Sequence, residues 1–301
     1  MDETNPDNST YKEYELTPTF DKETLQYELT LLEYVDNMNI TATKNDEKAT
    51  MKIKVPKRDE QGNLSYDTDE TTILYEEKEM QSMVPIEITL NKLGEPDTKI
   101  TVIVTAEDTV TIQEYEIVIK RPYGTIKGSI KLGNNIRESM ETSYGVHTKF
   151  DADVFIFTAN SFNWDGIVPG ESTYEELDQI LPKAQIKADD ETGEYEIKVI
   201  PGNYDLQLDK RGFLDKVVKN ITVNEGEEID LGLKTLIAGD VNRDGIIGLQ
   251  DVVAIVDRID KAQGDSQYAE QYDFGQKGFV ALIDVTTLLE GMDQLISIEE
   301  Y

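Results

Sequence analysis

Cysteine is missing from this 301-residue chain, and its absence excludes disulfides, thiolate nucleophiles and zinc–thiolate sites together. Secreted animal proteins of this size ordinarily carry disulfides, whereas many Gram-positive bacterial surface proteins do without them. Histidine occurs once, as His147. No nucleophile stands in a recognisable relation to it, so it reads as structural. Tryptophan also occurs once, as Trp164. Basic residues are few, 29 Lys and Arg against 61 Asp and Glu, for a formal net charge of −32. The acidic residues run along the whole chain, so their field repels nucleic acid and anionic membranes and excludes both as partners, while it concentrates cations. Over most of the surface the acidity needs no explanation beyond solubility. No apolar run approaches the length of a membrane span, which excludes membrane insertion. The opening MDETNPDNST has neither a basic flank nor an apolar stretch and is not a signal peptide; it fits a piece cut from a longer exported protein.

What remains suffices for packed cores, with 38% hydrophobic and 30% charged residues, and the length suggests two or three domains. Residues 1–12 read as a flexible polar tail. Over residues 13–122 hydrophobic residues alternate with period two, as in Leu25-Gln26-Tyr27-Glu28-Leu29, Ile86-Glu87-Ile88-Thr89-Leu90 and Tyr115-Glu116-Ile117-Val118-Ile119. Polar stretches at 44–47, 59–63 and 93–97 punctuate them, which predicts an all-β sandwich. Arg121-Pro122-Tyr123-Gly124 breaks the pattern and marks a seam. Leu16-Thr17-Pro18-Thr19-Phe20-Asp21, then Thr24-Leu25-Gln26-Tyr27, then Thr105-Ala106-Glu107-Asp108 before the last strand together resemble the cadherin-like β-sandwich repeats of bacterial surface proteins. The resemblance implies a spacer or adhesive domain and carries no calcium ligands with it.

Residues 123–236 read as a second sandwich. Gly193-Glu194-Tyr195-Glu196-Ile197 and Pro201-Gly202-Asn203-Tyr204-Asp205-Leu206 place alternate residues on one sheet face, with Pro-Gly as the turn between strands. This segment resembles the carboxypeptidase-regulatory-like sandwich and, through residues 204–223, the X-module that precedes type II dockerins in bacterial cellulosomes. An insertion over residues 159–182 departs from strand patterning. It holds Ser172-Thr173-Tyr174-Glu175, a capping-box spacing that predicts a short helix over 172–181. Trp164 within it either stacks on a sugar ring or plugs the core beneath the loop, the commoner fate of a lone Trp in a β-sandwich.

Residues 237–301 change to helical periodicity. Asp240, Asn242 and Asp244 stand at positions 1, 3 and 5 of a twelve-residue loop, Gly245 at the sharp turn, Ile246 at position 7 with its carbonyl, and Asp251 at position 12. Calcium wants six to eight oxygens, and this spacing supplies them; Gly248 at position 9 leaves that ligand to water. Val252, Ile255, Val256 and Ile259 then form one apolar helix face. A shift of 33 residues maps the loop onto Asp273, Gly278 and Asp284 and the face onto Val285, Leu288, Leu289 and Met292. The duplicated loop and helix, with Asp rather than Glu at position 12, resemble dockerins, and residues 263–270 resemble the linker of type II dockerins. In the second loop Gly275 and Lys277 replace two oxygen ligands, so that loop reads as degenerate, with the Lys277 ammonium standing near Asp273 and Asp284 where calcium would be.

The expected fold is thus multidomain: two tandem all-β sandwiches followed by a small all-α module with duplicated calcium loop–helix motifs, and Ca²⁺ as the cofactor. The apolar residues left over from the helix faces, Leu249, Val253, Leu282 and Ile283, flanked by Gln250 and Thr286, are expected to form the partner-binding surface. Packing on the neighbouring sandwich competes for Leu249 and Leu282. The resemblance implies that the partner is a cohesin domain of a scaffold or anchoring protein, and that the place is extracellular, at the bacterial cell surface. A carbohydrate-binding or adhesive protein merely tethered by its dockerin is the second reading, with polysaccharide as partner. The accessory end of a polysaccharide-degrading enzyme is the third. Glycoside hydrolysis needs two carboxylates at a defined separation across a cleft, and among 61 acidic residues no pair stands out, so the chain itself reads as non-catalytic. Calorimetry is expected to find one tight calcium site in residues 237–301; two equal sites would show that Gly275 and Lys277 do not disable the second loop.

Overall fold

A computed structural model describes residues 12–133, 136–170 and 180–301. The tail read over 1–12, apart from Lys12, and the helix read over 172–181, apart from its last two residues, lie outside them. The chain divides into two compact units, Met1–Pro122 and Tyr123–Tyr301.

The first unit is built from β1 (Gln26–Thr30), β2 (Asn37–Ile40), β3 (Thr50–Pro56), β4 (Tyr75–Met80), β5 (Ile86–Thr89), β6 (Thr98–Thr105) and β7 (Ile112–Lys120). One sheet runs β1-β7-β6-β3-β4, with β1 parallel to β7, and β2 pairs with β5. Period-two patterning does what it should here: Tyr27 and Leu29 on β1, and Met51 and Ile53 on β3, are buried between more exposed neighbours. They close with Ile100 and Ile119 into one core. The buried Tyr27 hydroxyl donates to the Asp21 carbonyl at 2.5 Å, so its polar tip is satisfied.

The second unit contains β8 (Gly124–Leu132), α1 (Ile136–Tyr144), β9 (Asp153–Thr158), β10 (Ala184–Lys187), β11 (Glu194–Val199), β12 (Gly202–Asp209), β13 (Lys216–Val223), β14 (Glu228–Leu236), α2 (Leu249–Val256), α3 (Leu282–Glu290) and β15 (Ser297–Glu300). Its sheets run β10-β9-β12-β13-β15 and β11-β8-β14. Two expectations need correction. Pro201-Gly202 does not close a hairpin, because β11 and β12 belong to different sheets and the dipeptide carries the chain across. On β12, Tyr204 to Leu208 are all buried rather than alternately so, because both faces of that strand are covered.

The C-terminal module is also not purely helical. Its last strand, β15, pairs in parallel with β13 of the sandwich, Val217 opposite Ile298. Ile296 and Ile298 pack into a cluster with Phe157, Trp164 and Val217, while Lys216 and Lys219 pair with Glu299 and Glu300 at 3.0 and 2.9 Å. Ile296 and Ile298, two residues apart, share the buried face, and Glu299 and Glu300 reach the lysines of the neighbouring strand. Trp164 is buried in that cluster, its Nε1 donating to the buried Asp205 carboxylate at 3.0 Å. It is therefore a core plug with no face open to a sugar.

Residues 237–301 are joined to the sandwich along a continuous seam. Gly239 N–H donates to the Gly212 carbonyl and Leu214 N–H to the Ile237 carbonyl, both at 2.8 Å. Phe213 meets Phe274 edge to face. Gly212 has φ +80°, and a Cβ there would stand 2.3 Å from the Gln271 carbonyl oxygen. Gly226 has a similar φ of +71° but open space around it. Gly212→Ala is therefore expected to destabilise the second unit by about 2–3 kcal/mol, and Gly226→Ala by about 1 kcal/mol. Equal losses in thermal melts would mean that the seam does not bear on stability.

Candidate calcium and docking site

In the first loop Asp240, Asp244 and Asp251 are buried. Asp251, at loop position 12, is also the third residue of α2. Its Oδ2 accepts the Gly248 N–H at 2.8 Å and its Oδ1 the N–H groups of Val241 (2.9 Å) and Asn242 (3.2 Å). One carboxylate thus caps the helix and folds the loop back over it. Asp240 accepts from the N–H groups of Asp244 and Gly245 at 3.1 and 3.0 Å. Asp244 accepts from the Asn242 amide at 2.7 Å. Burial, with Asp251 and Asp244 close by, pushes the Asp240 carboxyl up to about 7, and burial raises Asp251 as well. Arg243 turns outward to Asp209 of β12 at 3.1 Å. Among the described residues no three His, Cys, Asp or Glu side chains converge as a metal cage. The oxygens of Asp240, Asp244 and Asp251 are instead taken up by loop N–H groups and the Asn242 amide. The donor set is all oxygen and hard, and it fits Ca²⁺.

The second loop has the same backbone. Arg243 and Gln276 share φ 57° and 55°, Gly245 and Gly278 share 78° and 84°, and Asp260 and Asp293 share 65° and 66°, each pair 33 residues apart. Asp284 repeats the role of Asp251, accepting the Ala281 N–H at 2.8 Å and the Phe274 N–H at 3.1 Å. At position 5, where the first loop has Asp244, stands Lys277. Its Nζ lies 2.8 Å from Asp273 Oδ1 and 2.8 Å from both oxygens of Asp284, with all three side chains 0–1% exposed. Burial raises the Asp284 carboxyl while the Lys277 charge opposes the rise. Position 3, Gly275, faces α1. A Cβ there would lie 2.2 Å from Met140 Sδ, and the Gly275 carbonyl accepts from Thr148 Oγ1 at 3.0 Å. Where the first loop carries a ligand side chain, the second therefore leaves room for Met140 of the sandwich to seat against its backbone. Sequence reading missed Met140 because the signal lies in a helix it did not assign.

The two halves are intertwined. Ile247 of the first loop exchanges hydrogen bonds with residues 293 and 294, and Val280 of the second with residues 260 and 261. Each loop is closed by the segment trailing the other half's helix. The sandwich holds both loops as well. The insertion's Gly170 N–H donates to the Asp244 carbonyl at 2.9 Å, and Arg243 reaches Asp209, which stands beside the fully buried Asp215. A polar cleft of about 740 Å³ opens along this seam, lined by Asp209, Lys210, Phe213, Arg243, Asp273 and neighbours. The lone His147 pairs with Glu191 at the surface.

Leu249 (72%), Val253 and Val256 are exposed on α2, and Leu282 (66%), Thr286 and Leu289 on α3. These are the same i, i+4, i+7 positions, again 33 apart. Gln250 is exposed beside Leu249, and Ile283 is half-buried. Val256 and Leu289 were expected in the core; they lie on the exposed side with Leu249 and Leu282, while their neighbours Ile255 and Leu288, about 100° round each helix, are buried. Leu249 and Leu282 do not pack on the sandwich.

The model of the cadherin-like β-sandwich domain matches residues 6–122. No curated protein matches the chain. Two crystal structures of type II cohesin–X-dockerin complexes from Acetivibrio cellulolyticus, an N-terminal and a C-terminal interface mutant, are similar at 19% and 18% identity, with TM-scores of 0.37 and 0.39. Each covers 57% of this chain and 97% of the other. The full-length major pilin SpaD from Corynebacterium diphtheriae is similar at 14% identity over 67% of this chain and 60% of its own, with a TM-score of 0.29.

Removing the cation from the second loop leaves two buried carboxylates without a counter-charge. Lys277→Met is expected to cost about 3–5 kcal/mol, read from chemical denaturation in the presence of chelator. A loss below about 1 kcal/mol would show that the buried pair contributes no net stability.

Proposed function

We propose that residues 237–301 are a dockerin that binds a cohesin on a scaffold or anchoring protein, and that the chain is a non-catalytic assembly piece of an extracellular, cell-surface or cellulosomal complex. The observation that carries this reading is the doubled pattern. Two loop–helix halves 33 residues apart present matching exposed positions, Leu249, Val253 and Val256 against Leu282, Thr286 and Leu289. Large apolar groups held out of the core on a chain with a formal charge of −32 are what a docking surface requires.

Asp240, Asn242, Asp244, Asp251 and the Ile246 carbonyl would hold the calcium. Bound there, the ion supplies the positive charge that three buried carboxylates need. Asp251 connects that charge to docking, because the carboxylate that closes the loop also sets the first turn of α2, where Leu249 and Val253 project. In the second half Lys277 does the equivalent work for Asp284 and α3 without a metal. The sandwich of residues 123–236 serves as the platform that holds both loops, in the manner of an X-module. The cadherin-like unit serves as spacer or adhesive domain. The burial of Trp164 takes one aromatic out of the reading with polysaccharide as a direct ligand, which then rests on the tyrosines alone.

Calorimetry of the chain against a panel of cohesins, with calcium and with chelator, tests the reading. Binding to at least one cohesin is expected, weakened by chelator and lost in Asp251→Ala, whereas Leu249→Ala with Leu282→Ala is expected to weaken it at least tenfold without changing the melting temperature. Unchanged affinity in the double variant would move the docking surface elsewhere.

A further inference from the structure

The second loop holds the parts of an amide-forming site. Lys277 Nζ is equidistant, at 2.8 Å, from Oδ1 and Oδ2 of Asp284. Carboxylate bond lengths then put it about 3 Å from the carboxyl carbon, within near-attack distance once the carboxyl plane turns its face to the amine. Each Asp284 oxygen accepts a backbone N–H, from Phe274 at 3.1 Å and Ala281 at 2.8 Å, so negative charge developing there meets fixed donors. Asp273 Oδ1 stands 2.8 Å from the same nitrogen, and its Oδ2 is fixed by the Gly278 N–H and the Tyr268 hydroxyl at 2.7 and 3.1 Å. Tyr144 and Phe279 set their rings 5.9 and 5.8 Å from Nζ. With all three side chains 0–1% exposed, little water reaches the site to reverse a condensation.

From this geometry we infer that Lys277 and Asp284 join in an intramolecular isopeptide bond, with Asp273 as the proton carrier. The ammonium gives one proton to an Asp284 oxygen, leaving a neutral amine against a neutral carboxyl. Nζ then bonds Cγ while a second N–H proton passes to Asp273 Oδ1. The Asp284 hydroxyl takes that proton and departs as water when the Cγ–O bond breaks. One amide forms, one water leaves, and nothing is oxidised or reduced. Burial favours the neutral carboxyl that the step needs. The ion pair of the structure is the reactant arrangement. The first loop has Asp244 in place of the lysine and cannot follow the same course.

Intact-mass spectrometry of the full chain decides the matter. The protein is expected to run one water, about 18 Da, below the mass calculated from its sequence. Digestion on the amino side of aspartate should release residues 273–292 as one segment about 18 Da light, uncut before the amidated Asp284. Lys277→Arg should run at its full calculated mass, since a guanidinium stays protonated and is not acylated, and Asp273→Asn should form the link slowly or not at all. A wild-type chain at full calculated mass after prolonged incubation at physiological temperature overturns the proposal. So does a link that maps to Asp273.

Discussion

A carboxylate removed from water must be given a positive charge or a proton, and the C-terminal module is organised around two that are so removed. Asp251 and Asp284 are buried at the start of α2 and α3, each gripped by backbone N–H groups. Those hydrogen bonds fold the loops and launch the helices, so the carboxylates cannot be traded for apolar residues without losing both. Beside each stands another acidic residue, Asp240 or Asp273, which sharpens the demand. The second loop meets it from within, by the Lys277 ammonium at position 5, which the proposed amide would replace by removing both charges. The first has an aspartate at that position, and on the proposed reading it meets the demand with calcium. On that reading one backbone takes two kinds of cation, and the difference rests on positions 3 and 5, Asn242 and Asp244 in the first loop against Gly275 and Lys277 in the second.

That constraint explains why so small a module leans on its neighbour. Eight- and nine-residue helices bury little apolar surface, and a domain of this size has little core of its own. The sandwich supplies the rest: Met140 against Gly275, Phe213 against Phe274, Gly170 on the Asp244 carbonyl, and β13 as the template for β15. The insertion that carries Trp164 is part of the same arrangement, since its cluster receives Ile296 and Ile298. Contacts that hold the loops from outside lower the ordering entropy that a cation would otherwise have to offset alone.

The surface follows from what the interior leaves over. Because each loop is closed by the segment trailing the opposite helix, the two helices are related by a pseudo-symmetry, and equivalent positions on both stay in solvent. Their apolar character contrasts with the acidic exterior and with the satisfied polar groups of the seam.

The sequence by itself determined the elements that local rules control. Period two set β1, β5 and β7, the change to helical period at Asp240 set the last module, and the 33-residue repeat set the equivalence of the loops, Gly245 with Gly278 included. It also named Lys277 as a cation facing two carboxylates, because a fixed loop geometry makes spacing equivalent to position. Tertiary structure alone decided what depends on partners distant in sequence. Gly275 looked like a lost ligand and is a seat for Met140, 135 positions earlier by their numbers. Val256 and Leu289 had the period of core residues, yet the helices turn them to the exposed side with Leu249 and Leu282 and bury Ile255 and Leu288 instead. Ser297–Glu300 was too brief to announce a strand, and it became one because β13 offered an unpaired edge. Trp164 was open to two readings until packing closed over it. In each case the residue's own chemistry allowed both outcomes, and only the chain that arrived beside it selected one.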